Sequence, residues 1–164
     1  MGDRTNMSGY LHMVPKGKAK KVAALLEEEG VAQDWDSYQR SPAWDAQTVR
    51  YIMENDIQFT DDQWTCGAGH DLAKKLRKLG VAFEFHEDPK YEWMGDLHMY
   101  HPELGQFYST CDADGEVQIS ATEVSDLEKK YPKAGSRWVK LRERLGLDYH
   151  EAYFKLVRAE EEAV

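Results

Sequence analysis

Cys66 and His70 stand one helical turn apart, at the start of a segment with helical periodicity. A thiol at a helix N-terminus ionises more easily, and a nearby imidazole helps further. Thr65, Gly67 and Gly69 would leave backbone amides open as oxyanion donors. This predicts Cys66 as a nucleophile with His70 as its base, although spacing identifies no third triad member. The same residues also fit an ordinary helix start with a buried cysteine and an exposed histidine.

A second group comes from alternation. Glu84 and His86 alternate with Phe83 and Phe85, and Asp96, His98 and Tyr100 alternate with Leu97 and Met99. On paired strands these polar residues, with Tyr108, would share one flank. Glu84 would lie across from Asp96, and His98 beside Tyr108. Carboxylates and imidazoles at cross-strand distance suit a transition metal or a polar ligand. A solvated polar flank is the plainer expectation for such a sheet.

A third group is Asp112 to Glu123, D-A-D-G-E-V-Q-I-S-A-T-E, which resembles an EF-hand calcium loop. The resemblance implies Asp112, Asp114, Glu116 and Ser120 as ligands, the Gln118 carbonyl as another, and Glu123 as the bidentate end. Val117 replaces the glycine of the sharp turn. The preceding residues alternate like a strand, where that motif needs a helix. A hairpin turn followed by a capped helix is the plainer reading, and Ser120 with Glu123 makes a capping box. Lys16, Lys18, Lys20 and Lys21 open another helix, but the P-loop pattern is absent.

The elements that position these groups follow from periodicity. Residues 16–29 read as a helix stopped by Gly30. Ser41-Pro42 reads as the start of a helix bearing Trp44, Val49 and Ile52. Residues 67–79 read as a helix stopped by Gly80. Residues 120–131, 136–145 and a last segment with Tyr149, Tyr153 and Leu156 complete the helices. Residues 81–119 predict a four-stranded antiparallel meander, with 8–14 as a candidate edge strand. Phe85 opposite Gly95, Met99 opposite Phe107 and Cys111 opposite Val117 would put all apolar residues on one flank. The expected fold is one α+β domain spanning 1–164. Five or six helices would cover the apolar face, with Trp93, Phe83, Phe85, Leu97 and Phe107 at the contact.

Composition narrows the function. Thirty acids against 21 bases give a net charge of −9, which repels nucleic-acid backbones over most of the surface. No apolar run is long enough to span a membrane. Two cysteines make no disulfide framework, and Met1 to Ser8 holds no signal-peptide core, so a cytoplasmic location is expected. The leading expectation is a non-enzymatic binding or regulatory protein meeting a protein partner through an acidic, aromatic-rich surface. One special version is a charge mimic of nucleic acid. The rivals are a small thiol- or metal-dependent enzyme and a calcium-binding protein. The sequence specifies no cofactor and no oligomeric state.

Overall fold

A computed structural model describes residues 4–33 and 43–162, with side chains to residue 159. Five strands form one antiparallel sheet: β1 (Arg4–Met13), β2 (Phe59–Thr65), β3 (Ala82–Glu87), β4 (Gly95–His101) and β5 (Gly105–Cys111), in the order β2-β1-β3-β4-β5. The helices are α1 (Ala19–Glu28), α2 (Ala46–Glu54), α3 (Gly69–Leu79), α4 (Ala121–Lys130), α5 (Ala134–Leu145) and α6 (Leu147–Glu162). The α+β class stands. The strand inventory does not: β2 is added, and the expected fourth strand of the meander is reduced to an isolated Cys111–Val117 bridge.

The helices start and stop where local chemistry allows. Asp45 caps α2 by accepting from the Thr48 amide at 2.7 Å. The expected Ser41-Pro42 start lies outside the described residues. α3 begins at Gly69 rather than Gly67, and Gly80 ends it at φ +76°. Ser120 and Glu123 form the expected capping box of α4.

Two expectations about the sheet are corrected. β1 lies inside it, between β2 and β3, so it is not an edge strand. Phe85 pairs with His98 instead of Gly95, a displacement of three residues along β4. An odd displacement exchanges flanks, so the apolar residues of β3 and β4 face opposite ways. The cause is the hairpin: Lys90 bridges Trp93, and the two-residue turn between them puts Tyr91 at φ +54°. No glycine or asparagine marks that turn, so the loop length could not be read from sequence. Trp93 is consequently exposed on the turn, not in the core.

Both sides of the sheet therefore carry an apolar cluster. On one face Met7, Leu11, Phe59, Phe83 and Phe85 pack with Val22, Leu26, Leu72 and Leu76 of α1 and α3. Fully burying each such side chain contributes about 1.5–3 kcal/mol. On the other face Leu97, Met99 and Cys111 pack with Tyr153 and Val157 of α6. Helices cover both faces because each face carries its own apolar set.

Cys111 lies at the centre of the second cluster. Burial, followed by the Asp96 and Asp112 carboxylates, pushes its thiol up to about 12. In the unfolded chain a thiol ionises near about 8.5, so between these values the folded chain holds more protons. Stability must then fall as pH rises through that window, by about 2 kcal/mol from pH 8 to pH 10 for this group. Urea melts across that range should show a shallower decline for Cys111→Ala. Parallel profiles would remove Cys111 as the cause.

Candidate metal centre

The end of β2, the turn after it and the start of α3 overhang β3, β4 and β5. On the covered face, Glu87 pairs with Asp96, Phe85 with His98, and His98 with Tyr108. Opposite partners in an antiparallel sheet point the same way, so Glu87, Asp96, His98 and Tyr108 share this face.

Glu87 is fully buried. Its Oε1 accepts from Trp64 Nε1 at 2.7 Å, from the Gly67 amide at 3.0 Å and from the Gly69 amide at 3.4 Å. Two of these donors are backbone N–H groups at the entry to α3, where a helix favours negative charge. The chain thus fills its own helix terminus with a carboxylate. The amides expected to serve as oxyanion donors for Cys66 are already engaged. Cys66 itself lies half-buried in the turn ahead of α3, outside the helix.

The other Glu87 oxygen, Oε2, faces Nε2 of His98 at 3.6 Å, and both side chains are fully buried. Among the described residues, Oε2 and both ring nitrogens of His98 find no hydrogen-bond partner. Buried polar atoms are rarely left so, and three together call for a ligand or a proton arrangement that uses them. His98 is stacked on Phe85 at 4.9 Å and meets His70 edge-on at 4.8 Å. His70, exposed on the first turn of α3, also contacts the Tyr108 ring. Tyr108 donates its hydroxyl to Asp96 Oδ1 at 2.6 Å. Burial and this bond push the phenol well above its ordinary range, so it remains a donor.

His70, Asp96 and His98 each offer a ligand atom, and these atoms lie within 4.8 Å of one another. Tetrahedral zinc with bonds of about 2.0–2.2 Å needs ligand atoms about 3.3–3.5 Å apart. The exposed His70 side chain can supply most of that closure. Two nitrogens and one carboxylate oxygen suit zinc and its neighbours in the first transition row. Among the described residues this is the group of three or more such ligands that converges.

The sequence-derived sites are thus redistributed. His98, Asp96 and Tyr108 come together as expected, joined by His70. Glu84 pairs with Met99 rather than Asp96, and it and His86 lie on the opposite face, because of the displaced hairpin. Tyr100 shares the face of His98 but packs on Phe83 in the core. Asp112 is turned inward: its Oδ1 accepts from the amides of Asp114 and Glu116, and its Oδ2 from Gln118 Nε2. Glu123 accepts from Arg144 and closes its capping box. A strand, β5, leads into Asp112, so the helix of a calcium loop is missing at that point. Glu87 and Trp64 were not anticipated. The available signal was Glu87 continuing the face of Phe83 and Phe85, a carboxylate in line with two core aromatics.

No helix among the described residues is long and apolar enough to cross a membrane. Comparison with known proteins found no match among curated proteins and none among solved structures. A family model described as "Protein of unknown function (DUF3145)" matches residues 22–164, which include every residue of this centre.

Proposed function

The chain belongs to the DUF3145 family, and from its centre we propose a small metal-dependent enzyme that holds one divalent transition ion, zinc or a close neighbour, on His70, Asp96 and His98. The observation that carries this reading is the convergence of three ligand atoms around a buried imidazole whose nitrogens have no hydrogen-bond partner among the described residues. A proton on His98 Nε2, facing Glu87, leaves the Nδ1 lone pair for an ion. Metal-binding histidines commonly lean on a carboxylate in this manner, and Glu87 is the positioning residue here. Tyr108 does the same for Asp96. Three protein ligands beside exposed His70 and half-exposed Tyr108 leave one side accessible, which is the pattern of reactive rather than purely structural sites. A bound ion would polarise an oxygen ligand at the remaining position.

Zinc titration of chelator-treated protein should reach one equivalent per chain. At about 100 times Kd, binding stabilises the fold by about 2.7 kcal/mol, or roughly 5–10 °C in Tm for a domain of this size. His98→Ala and Asp96→Asn should lose both effects. Failure of zinc, manganese, iron and nickel to bind, or undiminished uptake by His98→Ala, would overturn the reading.

A second reading keeps the expected partner surface. Trp138 and Val139 of α5 and Val124 of α4 are exposed, and neither helix contains a buried residue. The whole chain carries a net charge of −9, which favours a protein partner over nucleic acid, but α5 itself is basic, with Arg137, Lys140, Arg142 and Arg144 against Glu143, so this patch would meet that partner through apolar contact inside a basic rim. Such binding should weaken in salt and persist in His98→Ala.

A further inference from the structure

The opposite face of the sheet carries a second site. A cleft of about 580 Å³ opens between the strands, the turn after β5 and the start of α6. Leu97 and Met99 of β4 line it, with Val117, Leu145 and Phe154 as further apolar wall. Three acidic residues line it: Glu84 from β3, and the exposed Asp114 and Glu116 from the turn. Among the described residues, the basic side chains that line it are the histidines His86 and His150, and no lysine or arginine does.

The turn is built to present those acids. Asp112 ties the Asp114 and Glu116 amides to its own Oδ1, each at 3.0 Å, and holds Gln118 on Oδ2. The residues that resemble a calcium loop in sequence therefore divide their work: Asp112 shapes the turn, while Asp114 and Glu116 line the cleft. Glu84 is mostly buried and faces Nε2 of His12 at 3.5 Å. The His12 ring is 7% exposed, and its Nε2 has no hydrogen-bond partner among the described residues. His150 also lines the cleft, and its burial lowers its pKa.

We infer that this cleft binds a small organic cation with an apolar body, an aryl- or alkylamine. Its ammonium group would be received by Glu84, Asp114 and Glu116, and its hydrocarbon would lie on Leu97, Met99, Val117 and Phe154. The volume lies in the range of small-molecule sites, about 300–1,000 Å³. An anion would meet Glu84, Asp114 and Glu116 with no lysine or arginine among the described lining residues to offset them. A bare metal ion would leave the apolar floor unused, and the converging ligand group lies on the other face. The inference does not rest on the metal centre.

Tryptamine, octylamine, indole-3-acetate and calcium chloride are the probes, added to the full chain and followed by calorimetry and thermal melts. At least one amine should bind and raise Tm, while indole-3-acetate, with the same ring and opposite charge, should not. Glu84→Gln with Glu116→Gln should weaken amine binding at least tenfold, about 1.4 kcal/mol. His98→Ala should leave it unchanged, which separates this result from failure of the metal reading. Circular dichroism of the double variant checks that it folds; Phe154→Ala, which removes only apolar wall, should weaken the amine as well. The inference is overturned if neither amine binds at millimolar concentration, if indole-3-acetate binds equally, if calcium alone occupies the site, or if the carboxylate variants bind normally.

Discussion

Glu87→Ala should lose roughly 3–5 kcal/mol of folding stability, the cost of leaving two buried donors without an acceptor and a cavity behind them. The carboxylate receives Trp64 Nε1 and the amides of Gly67 and Gly69, and the Trp64 and Gly69 bonds are buried. With alanine those donors face a void, and each unsatisfied buried donor costs about 1–3 kcal/mol. For a domain with a typical stability of about 5–15 kcal/mol this is a large fraction, so urea melts should register it plainly. Glu87→Gln separates the roles. Its carbonyl oxygen can still accept from Trp64, so the fold should suffer less. Its NH₂ group would face His98 Nε2, which must then be the unprotonated nitrogen, and the proton would move to Nδ1. The lone pair proposed for the ion disappears, and metal affinity should fall about 10–100-fold, the usual range for such supporting partners. A Glu87→Ala protein within 1 kcal/mol of wild type, by the about ±0.5 kcal/mol expected of neutral surface changes, would show that the carboxylate does not hold α3 to the sheet.

Gly9→Ala should be strongly destabilising, though it adds a single methyl group. Gly9 pairs with Phe85 on one side and Phe59 on the other, in the strand that joins both halves of the sheet. A Cβ there would stand 2.3 Å from Phe85 Cβ, 2.5 Å from the Glu84 carbonyl oxygen and 2.8 Å from Phe85 Cα. These are backbone and near-backbone atoms, so relief requires parting β1 from β3. Alanine gains about 0.5–1 kcal/mol over glycine in a strand through lower unfolded-state entropy. Overpacking at such a site outweighs that, by about 3 kcal/mol or more. Amide exchange at Glu84 and Phe85 should accelerate, and refolding yield should fall. Gly135, with open space around its would-be Cβ, is the internal control, and Gly135→Ala should be neutral or stabilising by up to about 1 kcal/mol. Equal behaviour of the two variants would refute the close approach at Gly9.

The two positions bear on function through the same strands. β1 holds β3 in place, and β3 ends in Glu87, so disturbance at Gly9 should also lower affinity at His70, Asp96 and His98. It should equally disturb Glu84 on the other face. A Gly9→Ala protein that lost one site and kept the other would contradict a shared dependence on β3.

Much of the architecture is written locally. α3 follows from Leu72 and Leu76 at one-turn spacing, with Gly80 supplying the left-handed stop. The α4 start follows from Ser120 and Glu123, whose reciprocal bonds need only neighbouring residues. The β4–β5 pairing of Met99 with Phe107 follows from a short turn ending in Gly105, at φ +80°. Each of these is decided within about a dozen residues, where propensity, capping and turn chemistry act directly.

The flanks of β3 and β4 were decided otherwise. Alternation states which residues travel together along a strand, but not which alternating set of one strand joins which set of the next. That choice lies in the register, and here the register depends on a turn at Tyr91 that carries no sequence mark. Tertiary packing settled it: α1 to α3 cover Phe83 and Phe85, while α6 covers Leu97 and Met99. The residue types for a metal centre and for an acidic cleft were therefore legible in the chain. Their sorting into Glu87 with His98 on one face, and Glu84 with the Asp114–Glu116 turn on the other, required contacts between segments far apart in sequence, because a one-dimensional pattern of period two is symmetric about the sheet.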